Sequence, residues 1–435
     1  MRLIHKKGDI MRRLSSAIAL LVCCQLPSAF AAGPVAESQV FIRDAVSAYQ
    51  AGDLSGYVSA MESALELNPA SLSSQYNLAC GYALTGRPDD AMRLLGQLAR
   101  TGMDFGQARD PDLDMLRDDP RFEALLVELE DKVETLSSSE PYFEFPQLGV
   151  VPEGIAHDAA TDRFFFSSMR TGDVYALGSD RRVSRFASLP ENGRMSAIGL
   201  TVDAKRGLLW VAAAAFDLAE GYAAEDAGRS GLFGFDIVTG ALRREYQLEN
   251  SGFGLNDVTV GPDGQVFTSG QALRRLDEDA GALVPVETSI ELFGTNGITV
   301  HDDGHAVFTS SYPVGVATVD LETGAAQFLD LPAELSLYGV DGLYWHNGYL
   351  YAVQNGARPW RLLRLALNDS LSSVVSADVL ELGNPATTPM TGAIVGDTMY
   401  YVGEGADPDE PPTQFPSNVR QNLGTVVIRS VPVVP

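Results

Sequence analysis

Disulfide cross-links are the first thing this chain lacks the means to make. Its 435 residues include three cysteines. Two of them, Cys23 and Cys24, lie in or beside a short apolar run, Ala17 to Leu26, that reads as part of an export leader. Only Cys80 then remains, so the rest of the chain must be held by packing. Basic charge is also scarce: 31 Lys and Arg stand against 57 Asp and Glu, a net charge of −26. That balance argues against nucleic acid and anionic lipid as partners and is compatible with a hard cation. The apolar run is too short for a stable membrane-spanning helix. There are five histidines and no Gly-x-Ser-x-Gly sequence, which disfavours a serine hydrolase.

What is present is the composition of a globular protein, 45% apolar and 20% charged, long enough for two cores. Arg12 and Arg13 precede the apolar run, and Ala29-Phe30-Ala31 supplies a small-x-small cleavage pattern. Residues 1–31 are therefore expected to be a signal peptide, starting at Met1 or Met11, and the protein to be periplasmic or secreted. The reading divides the remainder into a helical domain, 32–137, and an all-β domain, 138–435.

From about Ser38 to Lys132 the apolar spacing is helical. Gly52 and Gly86 are 34 residues apart, the tetratricopeptide period, and Leu78, Ala79, Tyr82, Ala91 and Leu95 fall where such a repeat packs its two helices. The helical part thus resembles tetratricopeptide repeats, with Asp119-Pro120 opening a capping helix. A structural cap is the favoured role and a partner-docking groove the alternative. Because this region has its own apolar period, it is expected to be dispensable for catalysis.

After Glu140 the period changes from helical to alternating. Six segments repeat a strand, a turn rich in Asp, Gly or Asn, and a second strand. Taking Glu153, Ile198, Asn256, Asn296, Asp341 and Thr391 as equivalent, the steps are 45, 58, 40, 45 and 50 residues. Repeats of this length predict a six-bladed β-propeller. Residues 141–148 are expected to cross back as the outermost strand of blade six, closing the ring and removing an edge.

In a propeller the first strand of each blade lines the axis, so the six equivalent residues should gather at one mouth. Glu153, Asn256, Asn296 and Asp341 are all oxygen donors, and neither His nor Cys is among them. Two carboxylates and two carboxamides suit a hard divalent ion, with calcium favoured over zinc or copper. The competing possibility is that these are ordinary polar residues capping loops.

Several short sequences carry a family resemblance: Pro-Glu-Gly at 152–154, Asn-Asp at 256–257 before Pro-Asp-Gly at 262–264, Asn-Gly at 296–297 before Asp-Asp-Gly at 302–304, and Asp-Gly at 341–342. From about Pro141 onward the chain resembles the regucalcin, gluconolactonase and luciferin-regenerating enzyme superfamily, related to diisopropyl fluorophosphatase and the paraoxonases. The resemblance implies that Glu153, Asn256, Asn296 and Asp341 hold one divalent cation, with Asp341 also catalytic. Sugar-lactone members often carry an Arg two residues before the first Asn; here Gly254 stands there. The paraoxonase-like His pair has no clear counterpart: His157, His301 and His346 fall near the turns after the first strands, at the far end from the strand heads.

Loops joining second to third strands should lie on the face of the strand heads. Arg170, Tyr312, Arg358 and Trp360 sit in them, and with Thr391 they are the candidate substrate-binding residues. The long loop from Phe216 to Ser230 explains the step of 58. The expected function is a metal-dependent hydrolase of lactones or esters. The alternative is a non-catalytic propeller that binds a ligand, or a protein partner through its helical repeats.

Overall fold

The computed structural model describes residues 33–131, 136–145, 150–190, 194–249, 251–384, 388–404 and 426–433. The expected signal peptide and almost all of the sixth-blade loop, from residue 405 on, lie outside the described residues.

Helices come first: α1 (Pro34–Ala51), α2 (Leu54–Leu67), α3 (Leu72–Leu84), α4 (Pro88–Arg100), a 3-10 helix (Pro111–Leu116) and α5 (Pro120–Asp131). The side chain of Asp53 caps α2 by accepting from the Gly56 amide, and Ser71 caps α3 through Ser74. Gly52 and Gly86 both end a helix in the left-handed region, at φ 78° and 77°. They occupy the same turn in two successive helix pairs, which is why they recur at that spacing. Asp119-Pro120 opens α5 as its sequence predicts, with Asp119 accepting from the Arg121 amide.

Six antiparallel sheets follow, and together they form a six-bladed β-propeller. The first strands are Ile155–Asp158, Ser196–Asp203, Leu255–Val260, Thr295–Val300, Val340–His346 and Thr388–Val395. The second strands read as buried runs, unbroken in Leu208–Ala214 and in Arg163–Ser167 from Phe164 onward. The reason is that each blade is covered on both faces by its neighbours. Phe165 joins the core between blades one and two, while Phe164 and Phe166 join the core between blades six and one. Equivalent apolar clusters fill the remaining seams. Glu140–Glu144 pairs antiparallel with Val427–Pro432 as the outermost strand of blade six, so the ring is closed by a strand from its N-terminal side. Leu136–Ser137, assigned from sequence to the helical domain, instead adds a fifth strand to blade five opposite Leu382 and Glu381.

The helices do not stand apart from the ring. Their core includes Tyr338 and Ala357 from the loops of blade five. Glu291, in the connection into blade four, accepts from the first-turn amides of Val35 and Ala36 at 2.7 and 3.0 Å, where a carboxylate offsets the positive end of α1. Asp104 and Arg358 pair backbone to backbone. Tyr338 lies three residues before Asp341 and Glu291 five before Asn296, so the helical layer rests at the mouth that carries the strand heads, over blades four and five.

Candidate active site at the ring mouth

A backbone irregularity recurs at the strand heads. Register shifts occur between Ala197 and Leu200, Leu255 and Val258, Thr295 and Ile298, Val340 and Gly342, and Pro389 and Gly392. Bulges of this kind re-aim side chains. In blade one, Glu153 and Gly154 precede the strand proper, with the Gly154 amide donating to Ser167 Oγ at 2.7 Å.

Glycine follows the head in five of six blades: Gly154, Gly199, Gly297, Gly342 and Gly392. The first strands crowd so closely around the axis that a Cβ on Gly297 would lie 2.4 Å from the Asp341 carbonyl oxygen. Blade three breaks the pattern with Asp257, whose carboxylate fills the space Gly199 leaves.

Glu153, Asn296, Asp341 and Thr391 are buried; Asn256 is half-buried. Asp341 Oδ2 accepts from Asn355 Nδ2 at 2.6 Å. Burial pushes the Asp341 carboxyl up to about 6, against the opposing hydrogen bonds from Asn355 and Asn296. Asn296 lies on the strand next to that of Asp341, with its neighbour Gly297 packed on the Asp341 carbonyl. Among the described residues, Asp341 Oδ1 and Asn296 Oδ1 are buried without a hydrogen-bond partner. Buried oxygens left so are costly and call for an explanation such as an ion. No three His, Cys, Asp or Glu side chains form a metal-binding group among the described residues, so any ion here would draw on the carboxamides as well. The donor set is hard and oxygen-only, and it fits calcium.

Two residues that sequence reasoning did not select belong to the same centre. Asp257 is pushed up to about 7, by burial and then by the charge of Asp341. Tyr344 accepts at its hydroxyl from the Gly392 amide. Burial, then the charges of Asp257, Asp341 and Glu153, hold its phenol well above the ordinary range. The charges of three carboxylates from blades one, three and five thus act on one phenol. Asp257 and Tyr344 line an axial cavity of about 220 Å³, to which all six first strands contribute; of the strand heads it takes in Thr391, and it begins just past Glu153, Asn256, Asn296 and Asp341. Both were detectable in sequence as exceptions: Asp257 where the ring otherwise has Gly, and Tyr344 where blades two to four carry Thr201, Thr259 and Thr299.

The candidate substrate-binding residues have other partners. Arg170 Nε donates to Glu220 in the long second-blade loop at 2.9 Å. The Arg358 guanidinium lies 5.2 Å from the Trp360 ring centroid, and its backbone pairs with the helical layer. Thr391 donates its hydroxyl to the Glu153 carbonyl, joining blade six to blade one. Tyr312 donates to Asn355 Oδ1 at 3.2 Å. His157 and His301 pair with Asp162 and Asp303, and His346 with Asn347, close to the first-strand turns where the sequence placed them.

No family model matches the chain, and no curated protein matches it. Solved structures that resemble it include the major allergen Mala s 1 of Malassezia sympodialis, at 14% identity over 68% of this chain and 96% of that one, TM-score 0.47. A luciferin-regenerating enzyme is similar at 15% identity over 68% and 98%, TM-score 0.45. A gluconolactonase from Xanthomonas campestris is similar at 15% over 65% and 86%, TM-score 0.43. Likeness at this level concerns the ring alone.

Proposed function

We propose that the chain is an exported, divalent-metal-dependent hydrolase of lactones or esters, with Glu153, Asn256, Asn296 and Asp341 holding one ion, calcium by its donor set, at the ring mouth. The observation that carries this reading is that Asp341 and Asn296, from neighbouring blades, each bury a side-chain oxygen without a hydrogen-bond partner. The leader sequence supports export. The recurrence of Gly52 and Gly86 in equivalent turns supports a tetratricopeptide-like reading of the helices.

A cation held there supplies Lewis-acid polarisation of the substrate's carbonyl oxygen. Asp341 accepts the proton of the attacking water, or attacks the carbonyl carbon itself and expels the alkoxide, leaving an anhydride on its side chain that water then hydrolyses. Asn355 fixes its Oδ2, so Oδ1 is the oxygen left to act. Arg170 is paired with Glu220, and the Arg358 guanidinium lies over the Trp360 ring. The mouth therefore favours a neutral ester or lactone over an anionic one.

A panel of lactones and aryl esters, assayed with and without chelator, tests the reading. Chelator-sensitive turnover is expected, and Asp341→Asn should lower kcat at saturating calcium by at least about 10²-fold. Turnover indifferent to verified metal removal would refute the metal role, and an Asp341→Asn protein with ordinary kcat would refute Asp341 as the reacting group.

A further inference from the structure

We propose that Asn355 is a positioning residue for Asp341, and that the helical layer holds it in place through Tyr312. The inference rests on the reading above, in which Asp341 serves an ion and a reaction.

Asn355 is 5% exposed and makes directed contacts on both sides of its amide. Its Nδ2 donates to Asp341 Oδ2 at 2.6 Å and to the Pro389 carbonyl at 3.1 Å. Its Oδ1 accepts from the Tyr312 hydroxyl at 3.2 Å. The amide has one workable orientation, because a flip would set its oxygen against a carboxylate and a carbonyl, neither of which can donate. Asn355 therefore dictates which Asp341 oxygen is spent and which is left for the axis. Partners of this kind orient the residues that do the binding.

Tyr312 is held in turn from the helical side. Its ring lies 6.4 Å from Tyr338, Tyr338 lies 6.2 Å from Phe105, and Phe105 stacks on Tyr76 at 5.3 Å with planes 18° apart. Tyr76 belongs to α3, and its hydroxyl is anchored on Asp110 at 2.6 Å. A continuous series of rings thus runs from the helices to the hydroxyl that supports Asn355. The backbone follows the same path. Gly339 donates to the Tyr312 carbonyl and accepts from the amides of Asn355 and Gly356. Gly339 sits at φ 68°, and a Cβ there would come within 2.5 Å of Gly356 Cα, so the entry into Asp341's strand has no slack. The helical layer is accordingly part of the active-site scaffold.

The test measures Tb3+ and Ca2+ affinity of the full protein, by tyrosine-sensitised luminescence and calorimetry, alongside kcat and KM. Four variants are compared: Asn355→Leu, Asn355→Gln, Tyr312→Phe and Phe105→Ala. Circular dichroism of each metal-free protein checks folding. Asn355→Leu is expected to weaken metal binding about 10- to 100-fold and to lower kcat at saturating metal with KM kept. Tyr312→Phe, which removes one hydrogen bond, should weaken binding about 2- to 10-fold. Phe105→Ala should shift affinity in the same direction, and Asn355→Gln, which keeps donor and acceptor, should recover part of the loss. A folded Asn355→Leu protein with wild-type affinity and kcat overturns the positioning role. A Phe105→Ala protein with unchanged affinity overturns the helical arm of it. A wild-type protein that binds neither ion overturns the metal reading, and this inference with it.

Discussion

Gly199 has no room for a methyl group. A Cβ there would meet Asp257 Oδ1 at 2.3 Å, Asp257 Cα at 2.5 Å and the Asn256 carbonyl oxygen at 2.8 Å. Two of those atoms are backbone and cannot rotate away. Gly199→Ala should therefore cost about 1–3 kcal/mol of stability as an overpacking change, read as a lowered melting temperature. An unchanged melting temperature would mean that the first strands can part at little cost. In the helical layer, Asp112 is pushed up to about 6, mainly by burial and then by the charge of Asp110. The folded state thus holds this proton more tightly than the unfolded chain does. Its contribution to stability is present below about pH 4 and is lost as pH rises toward 6. Asp112→Asn should melt above wild type at pH 7.5, with the gap closing below about pH 4. A gap that does not depend on pH would remove titration as its cause.

At the scale of elements, the helices and the ring share a core. The separate apolar period of residues 32–137 leads one to expect them to be dispensable for catalysis, and the ring to fold without them. Packing bears on the second half of that expectation, the stability of the ring without its helices. Tyr338 and Ala357 are buried in the helical cluster, Asp104 pairs with Arg358, and Leu136–Ser137 extends blade five. A chain beginning at Ser138 would bare this apolar surface and lose that edge strand. It should melt at a lower temperature and aggregate more readily than the protein with its helices. Thermal melts and light scattering of the two proteins check this; equal behaviour would show that the shared core contributes little.

For the whole molecule, an ion at the mouth would tie four of six blades together. A ligand that binds only the folded state adds about 2.7 kcal/mol when its free concentration is 100-fold above its dissociation constant. Chelation should therefore lower the melting temperature, and calcium in excess should restore it. A melting temperature unmoved by verified metal removal would deny the ion a structural role. Because each blade seam has its own apolar cluster, the ring is expected to stay folded without the ion and to be weakened rather than lost.

The sequence by itself determined the ring. Local alternation, turn residues and a repeat of similar length recur six times, and patterning of that kind needs no knowledge of distant contacts. It also determined the closing strand, since a ring of four-stranded blades one strand short at its C-terminal end must borrow one. The candidate ligands were legible because they occupy the same position in successive repeats. Only the tertiary structure decided the rest. Asp257 and Tyr344 come next to the strand heads because first strands 40 to 58 residues apart converge on one axis. Asn355 is joined to Asp341 by the return of the second strand of the same blade. Arg170 and Arg358 take partners far along the chain, Glu220 and Asp104, which no local pattern announces. The docking of the helices is of the same kind: an amphipathic pattern tells a helix which face to bury, but not which surface will cover it.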